Sequence, residues 1–221
     1  MTNLRWVGEV NGRSCEVKIT VQGRTRHSGA VRSREQLGYR LRIELSTPLS
    51  VGLFFVREGF AQSRLAQWIY RLRKQDVIRH VPASLNGFCV VTNDIEYAQR
   101  LIQQPLAMQE VGDLLNRKRS ATLAGSVYFG PGAIYYASPI VQADDLTPEC
   151  VLDINEKLRS IVTDAEVLPP PQVPCSPTAL GTLSKSHPIL SVILIMGLVL
   201  GAMLISAGLL FALAILLGTI F

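Results

Sequence analysis

The sequence predicts an α+β fold, an antiparallel sheet with helices packed on one face, followed by a C-terminal transmembrane helix. Three observations lead there. Several short stretches alternate apolar and polar residues with a period of two, the mark of half-buried strands. Apolar stripes at helical spacing follow residues that cap helices. The last 34 residues, Pro188 to Phe221, carry no charged side chain. An apolar run of about 18 residues or more matches a hydrocarbon slab about 30 Å thick.

The first two strands, Trp6–Val10 and Cys15–Val21, flank Asn11-Gly12, the dipeptide that best supplies the positive φ angles of a tight hairpin. Tyr39–Leu45 alternates strictly, and Val51–Val56 is a more buried apolar run. Phe88–Val91 is a short fifth candidate. Ala121–Tyr128 and Ala133–Ala137, joined by Gly130-Pro131-Gly132, predict a second hairpin. The glycines match no phosphate-binding spacing between strand and helix.

Ser63 caps a helix on which Leu65, Trp68, Ile69 and Leu72 recur at helical spacing; Trp68 and Tyr70 read as core and helix flank. Asn93-Asp94-Ile95-Glu96 has capping-box character before Tyr97, Leu101 and Ile102, and a further helical set runs from Met108 to Asn116. Thr147-Pro148 places a cap before a proline at the first helical position, followed by Val151, Ile154, Leu158 and Ile161.

Residues 1–167 are long enough for one domain. Its N-terminus lacks the apolar core of a secretory signal, so the domain is expected on the cytoplasmic side, with the chain tail-anchored. Lys185 before the apolar run agrees in sign with the positive-inside rule. Cys15, Cys89, Cys150 and Cys175 form no CxxC pair and have no histidine at ligand spacing, so reduced thiols are expected, with no metal and no cofactor.

Residues 168–187, rich in proline and serine, read as a spacer between domain and membrane. As one straight helix, the 34-residue tail would reach about 51 Å, more than the core requires. One long tilted helix or a hairpin bent near Ser206-Ala207-Gly208 would each absorb the excess. Gly197, Gly201 and Gly208 share one helix face, the kind of stripe that lets another membrane helix approach, in a partner protein or a homo-oligomer. Glycine is also simply common in membrane helices.

Gly8-Glu9-Val10-Asn11-Gly12-Arg13 gives a G-x-x-x-G-R strand, followed by an arginine-rich stretch, a Tyr-containing strand, and a Pro-x-x-x-x-Leu-type strand with a Glu. In this the chain resembles a group of bacterial membrane-associated proteins of unknown function, from about residue 5 to 165. A Gly-Asp…Phe-Asp segment of that group is replaced here by Arg79–Phe88. The resemblance implies a bacterial inner-membrane location and supplies no catalytic residues.

Charge is unevenly spread. Residues 1–80 hold 15 Lys/Arg against 6 Asp/Glu, net +9, and residues 81–187 hold 7 against 11, net −4, which together give the whole-chain +5. The excess falls on Arg24, Arg26, Arg32 and Arg34, expected in a loop between the second and third strands, and on Arg64, Arg71, Arg73 and Lys74 along the first long helix. Near a bilayer such residues are drawn to anionic headgroups by about 1 kcal/mol each. An ordinary solvated face, or pairing with the acidic half, explains the same residues.

Asp144, Asp145, Glu149, Asp153, Glu156, Asp164 and Glu166 surround the last helix, where they complement its dipole; no histidine, lysine or aromatic pocket stands at a spacing that points to acid–base chemistry. Nucleic-acid binding lacks both a recognisable module and interleaved stacking aromatics. The expectation is a non-catalytic docking or accessory subunit. An enzyme or ligand-binding domain with a site assembled from distant residues is the alternative.

Overall fold

Asn11 and Gly12 both adopt positive φ, 52° and 76°, and turn the chain between β1 (Leu4–Val10) and β2 (Arg13–Ser28), as the dipeptide predicts. The computed structural model describes residues 3–28, 31–117 and 125–175, with side chains at all of these except 26–28 and 31–34. Two units divide the chain, Met1–Ser176 and Pro177–Phe221. The second holds the residues expected to form a transmembrane helix, Gly197, Gly201 and Gly208 among them, and lies outside the described residues. Among the described residues no helix is long and apolar enough to cross a membrane.

β3 (Val31–Arg57) pairs with β2, β5 (Phe88–Thr92) continues the sheet, and β4 (Asp76–Ile78), which the sequence did not suggest, closes it, giving the order β1-β2-β3-β5-β4. β6 (Ser126–Ala137) joins β3 off this path, and each of these pairings is antiparallel.

Two readings of the strands are corrected. The arginine-rich segment is not a loop: Arg24 stands opposite Glu35, Thr25 opposite Arg34, Arg26 opposite Ser33 and His27 opposite Arg32, in one long hairpin. Backbone pairing with a partner strand outweighs the low strand propensity of this polar run. Gly130-Pro131-Gly132 does not reverse the chain either. β6 runs through it and pairs with β3 on both sides, from Arg42 opposite Ala137 to Phe54 opposite Tyr128. Thr47, Pro48 and Leu49 of β3 bulge between the pairs Ser46–Ala133 and Ser50–Pro131, and Gly132 opposite them takes φ 78°. Pro48 thus sits where no ladder hydrogen bond is required of it. Residues 121–124, expected to start this strand, lie outside the described residues.

Three of the helices start where their caps predict. Ser63 Oγ accepts from Ala66 N at 3.2 Å to open α2 (Arg64–Leu72), after a short α1 (Glu58–Ala61). Asp94 Oδ1 accepts from Tyr97 N at 3.0 Å to open α3 (Ile95–Ile102). Pro105 begins α4 (Pro105–Asn116), and Thr147 caps α5 (Pro148–Val167) through Cys150 N at 3.2 Å.

Along β3, Leu41, Ile43 and Leu45 are buried, and with Cys15, Ile134 and Tyr136 they meet Leu101, Met108, Leu115, Ile154, Leu158 and Ile161 of α3, α4 and α5 in one core. The alternate residues Arg40, Arg42 and Glu44 stand on the other face, as period two requires. Backbones approach closely at Gly112, where an added Cβ would run into the carbonyl of Ser84, and at Gly38, with φ 140°, where it would lie 2.6 Å from Val141 O. No disulfide links any of the four cysteines; burial pushes the Cys15 and Cys89 thiols up.

The segment after α5 is tied down. Asp94 Oδ2 accepts from Gln172 N at 2.6 Å and Val173 N at 2.9 Å, Asn93 Nδ2 donates to Val173 O at 2.7 Å, and Cys175 N donates to Ser50 O at 2.8 Å. The first eight residues of the expected spacer, 168–175, therefore include a strap bound to the folded unit.

Candidate functional site

α2 holds its place through Ala66, which is buried, and through the half-buried Ile69 and Tyr70. Its other apolar residues face outward. Leu65, Trp68 and Leu72, spaced i, i+3 and i+7 and so on one face of the helix, are 66%, 60% and 63% exposed. Trp68 is therefore not the core residue its spacing suggested. The amphipathic pattern was legible, but a stripe alone does not say whether it faces the protein or away from it. Phe60 of α1 is 62% exposed as well.

Arginines flank this stripe. At 100° per residue, Arg64 and Arg71 fall beside the exposed face on the side away from Ala66 and Tyr70. The helix then ends in a Schellman motif: Lys74 N donates to Arg71 O at 3.2 Å and Gln75 N to Tyr70 O at 2.9 Å. Lys74 takes the left-handed position of that motif, φ 51°, which glycine would hold without strain. Arg71, Arg73 and Lys74 thus gather at the C-terminal end of α2, where the helix dipole favours cations. Arg64, Arg71, Arg73 and Lys74 are exposed, and none forms an ion pair among the described residues.

The two basic groups read from the sequence do not form one patch along the chain. Arg24, Arg26, Arg32 and Arg34 belong to the hairpin at the start of β3, whereas α1 and α2 follow its end at Arg57. Of the hairpin group only Arg24 has a described side chain, which is exposed. Gly197, Gly201 and Gly208 lie outside the described residues.

Much of the acidic half is committed to structure. Glu166 receives Arg13, Asp153 pairs with Arg117, and Asp113 with Lys157 at 2.9 Å. Glu149, in the first turn of α5, is held below the usual carboxylate range by hydrogen bonds from its own backbone and from Thr147. Among the described residues no group of three or more His, Cys, Asp or Glu is placed to hold a metal ion.

No family model matches the chain, and no curated protein matches it. It is similar to the crystal structure of the mycobacterial trehalose monomycolate transport factor A, TtfA, at 12% sequence identity and a TM-score of 0.46, over 77% of this chain and 74% of that one. A likeness at this level carries no functional argument. The resemblance to bacterial membrane-associated proteins rests on its sequence motifs alone.

Proposed function

We propose that this chain is a non-catalytic membrane protein, anchored by its apolar segment 188–221, whose folded unit docks on the anionic headgroup surface of a bacterial inner membrane through α2. The observation that carries the reading is the outward stripe of Leu65, Trp68 and Leu72, each more than half exposed, bordered by Arg64, Arg71, Arg73 and Lys74. A helix that lies in the plane of a membrane interface has this composition, with tryptophan and leucine on one face and basic side chains beside them. The arginine and lysine stems can follow the apolar stripe while their charges stay among the phosphates.

The magnitudes are adequate. Four cations near an anionic surface contribute about 4 kcal/mol at low salt, before any apolar burial is counted. The strap leaves only residues 177–187 between the folded unit and the apolar tail, a span of at most about 40 Å when fully extended. A tether of that length gives an effective concentration on the order of millimolar, at which about 4 kcal/mol already half-fills the docked state. The uncharged tail from Pro188 to Phe221 selects lipid over a soluble partner as the occupant, because it would put a bilayer within that reach.

The test is hydrogen exchange of the full-length protein in nanodiscs. Exchange over residues 64–75 slows in nanodiscs of phosphatidylglycerol relative to phosphatidylcholine, and added salt reverses the difference. Identical exchange in both lipids sinks the reading. Protection that appears only when a second protein is added replaces lipid with a protein partner.

A further inference from the structure

We infer that the open face of the sheet carries a second site, one for a phosphorylated ligand of small-metabolite size, formed by Lys18, Arg40 and Arg42 beside the rings of Tyr128 and Tyr135. It is distinct from α2 and independent of the docking proposal. The face opposite the helices carries an open cavity of about 360 Å³ whose lining includes these five residues and two acids, Glu16 and Glu44. That volume lies within the range of small-molecule sites.

Strand register brings the cations together. Lys18 stands directly opposite Arg42, and Arg40 lies two residues along β3, opposite Thr20. Directly opposed side chains in an antiparallel pair start about 5 Å apart, and next-but-one neighbours about 7 Å apart. One phosphate group can reach all three. Like charges placed directly opposite each other cost stability, a cost that Glu16 and Glu44, opposed to each other two residues along the same strands, offset in part. Lys18, Arg40 and Arg42 form no side-chain hydrogen bond or ion pair among the described residues.

The two acids in the lining already have partners of their own. Arg5 Nε and Nη2 hold Glu16 at 2.7 and 3.1 Å, and Glu44 accepts the Tyr135 hydroxyl. Three cations and two carboxylates therefore line the cavity, with both carboxylates already accepting hydrogen bonds. The rings supply the other half of the site. Phe54, Tyr128 and Tyr135 stack in a row, with centroids 5.5 and 4.6 Å apart and planes within 15° and 10°. Each ring holds its neighbour's rotamer, so the wall is rigid and partly apolar, suited to the organic part of a phosphate ester.

A lipid headgroup and a soluble phosphate ester share this chemistry, so the experiment has two arms. The full-length protein in non-ionic detergent is titrated calorimetrically with pyrophosphate, with sodium chloride at equal ionic strength as the reference. Binding exceeds the chloride reference, the double substitution Lys18→Gln with Arg42→Gln weakens it by about tenfold or more, and Arg79→Gln on a different strand connection leaves it unchanged. The unliganded double variant keeps a cooperative thermal unfolding transition like that of wild type, which separates lost binding from lost folding. In the second arm, phosphatidylglycerol nanodiscs that abolish pyrophosphate binding assign the site to a headgroup, and unchanged binding assigns it to a soluble ester. Pyrophosphate binding no greater than chloride, or binding that survives the double substitution, overturns the site.

Discussion

The guanidinium of Arg13 grips the carboxylate of Glu166 with two parallel hydrogen bonds, Nη1 to Oε1 at 2.7 Å and Nη2 to Oε2 at 2.6 Å. These residues lie near opposite ends of the folded unit in sequence, one at the start of β2 and the other in the last turn of α5. Thr47 Oγ1 adds a third donor to Glu166 Oε1 at 2.7 Å, at the bulge in β3. The pair therefore fastens the last helix to the sheet at the point where β3 is least regular. With side chains only 22% exposed on both partners, it is screened less than a surface pair. A double-mutant cycle with Arg13→Ala and Glu166→Ala should return a coupling of about 1–2 kcal/mol in denaturant unfolding, against a few tenths for the exposed Arg100–Glu96 pair.

Asp94 both caps α3 and holds the strap. Burial opposes its charge, but hydrogen bonds from Tyr97, Val173 and Gln172 outweigh that and lower its pKa. A carboxylate with a lowered folded pKa contributes stability that is complete above the unfolded value, about 3.9, and is lost as pH falls through the folded value. Stability from this source is thus flat near neutrality and declines below about pH 4. Asp94→Ala should cost about 1–3 kcal/mol at pH 7 and abolish hydrogen-exchange protection at Gln172 and Val173, measured by NMR, while Ser160 and Ile161 in α5 keep theirs.

Glu110 acts with the opposite sign. Burial pushes its carboxyl up, more than Ser160 and Lys157 draw it down, and its Oε2 atom is buried without a hydrogen-bond partner among the described residues. An acid whose folded pKa is raised favours the folded state as pH falls and weighs against it when ionised. Glu110→Gln should therefore stabilise the protein at pH 7 by up to about 1 kcal/mol, a gain that shrinks as pH falls and is gone below the unfolded glutamate value, about 4.3, as read from melting temperatures across pH.

Lys74 keeps a positive φ that glycine would hold more easily. Lys74→Gly should raise stability by up to about 1 kcal/mol while weakening retention on anionic nanodiscs. A loss of stability would mean that the lysine stem packs in a way that its exposure does not suggest.

Local rules were legible and tertiary direction was not. Ser63, Asp94 and Thr147 each cap the helix that their sequence context predicts, because capping depends on three or four consecutive residues. Gly130-Pro131-Gly132 looked like a turn, because a proline inside a paired strand and a proline in a turn look alike until the partner strand is known. The cavity on the open sheet face was out of reach for the same reason. Lys18 and Arg42 are 24 positions apart and meet only through the register of β2 on β3. Trp68 was misplaced because helical periodicity identifies a stripe without saying which side of it the rest of the fold will occupy.

The most direct test of the docking account uses Trp68 as its own probe. The full-length protein carrying Trp6→Phe, so that Trp68 is its one remaining tryptophan, is placed in phosphatidylglycerol nanodiscs containing brominated acyl chains. Docking through α2 predicts bromine quenching and a blue-shifted emission, both lost on Leu65→Ser with Leu72→Ser and reduced by salt. Emission that stays unquenched and red-shifted, as for a tryptophan in water, would contradict it.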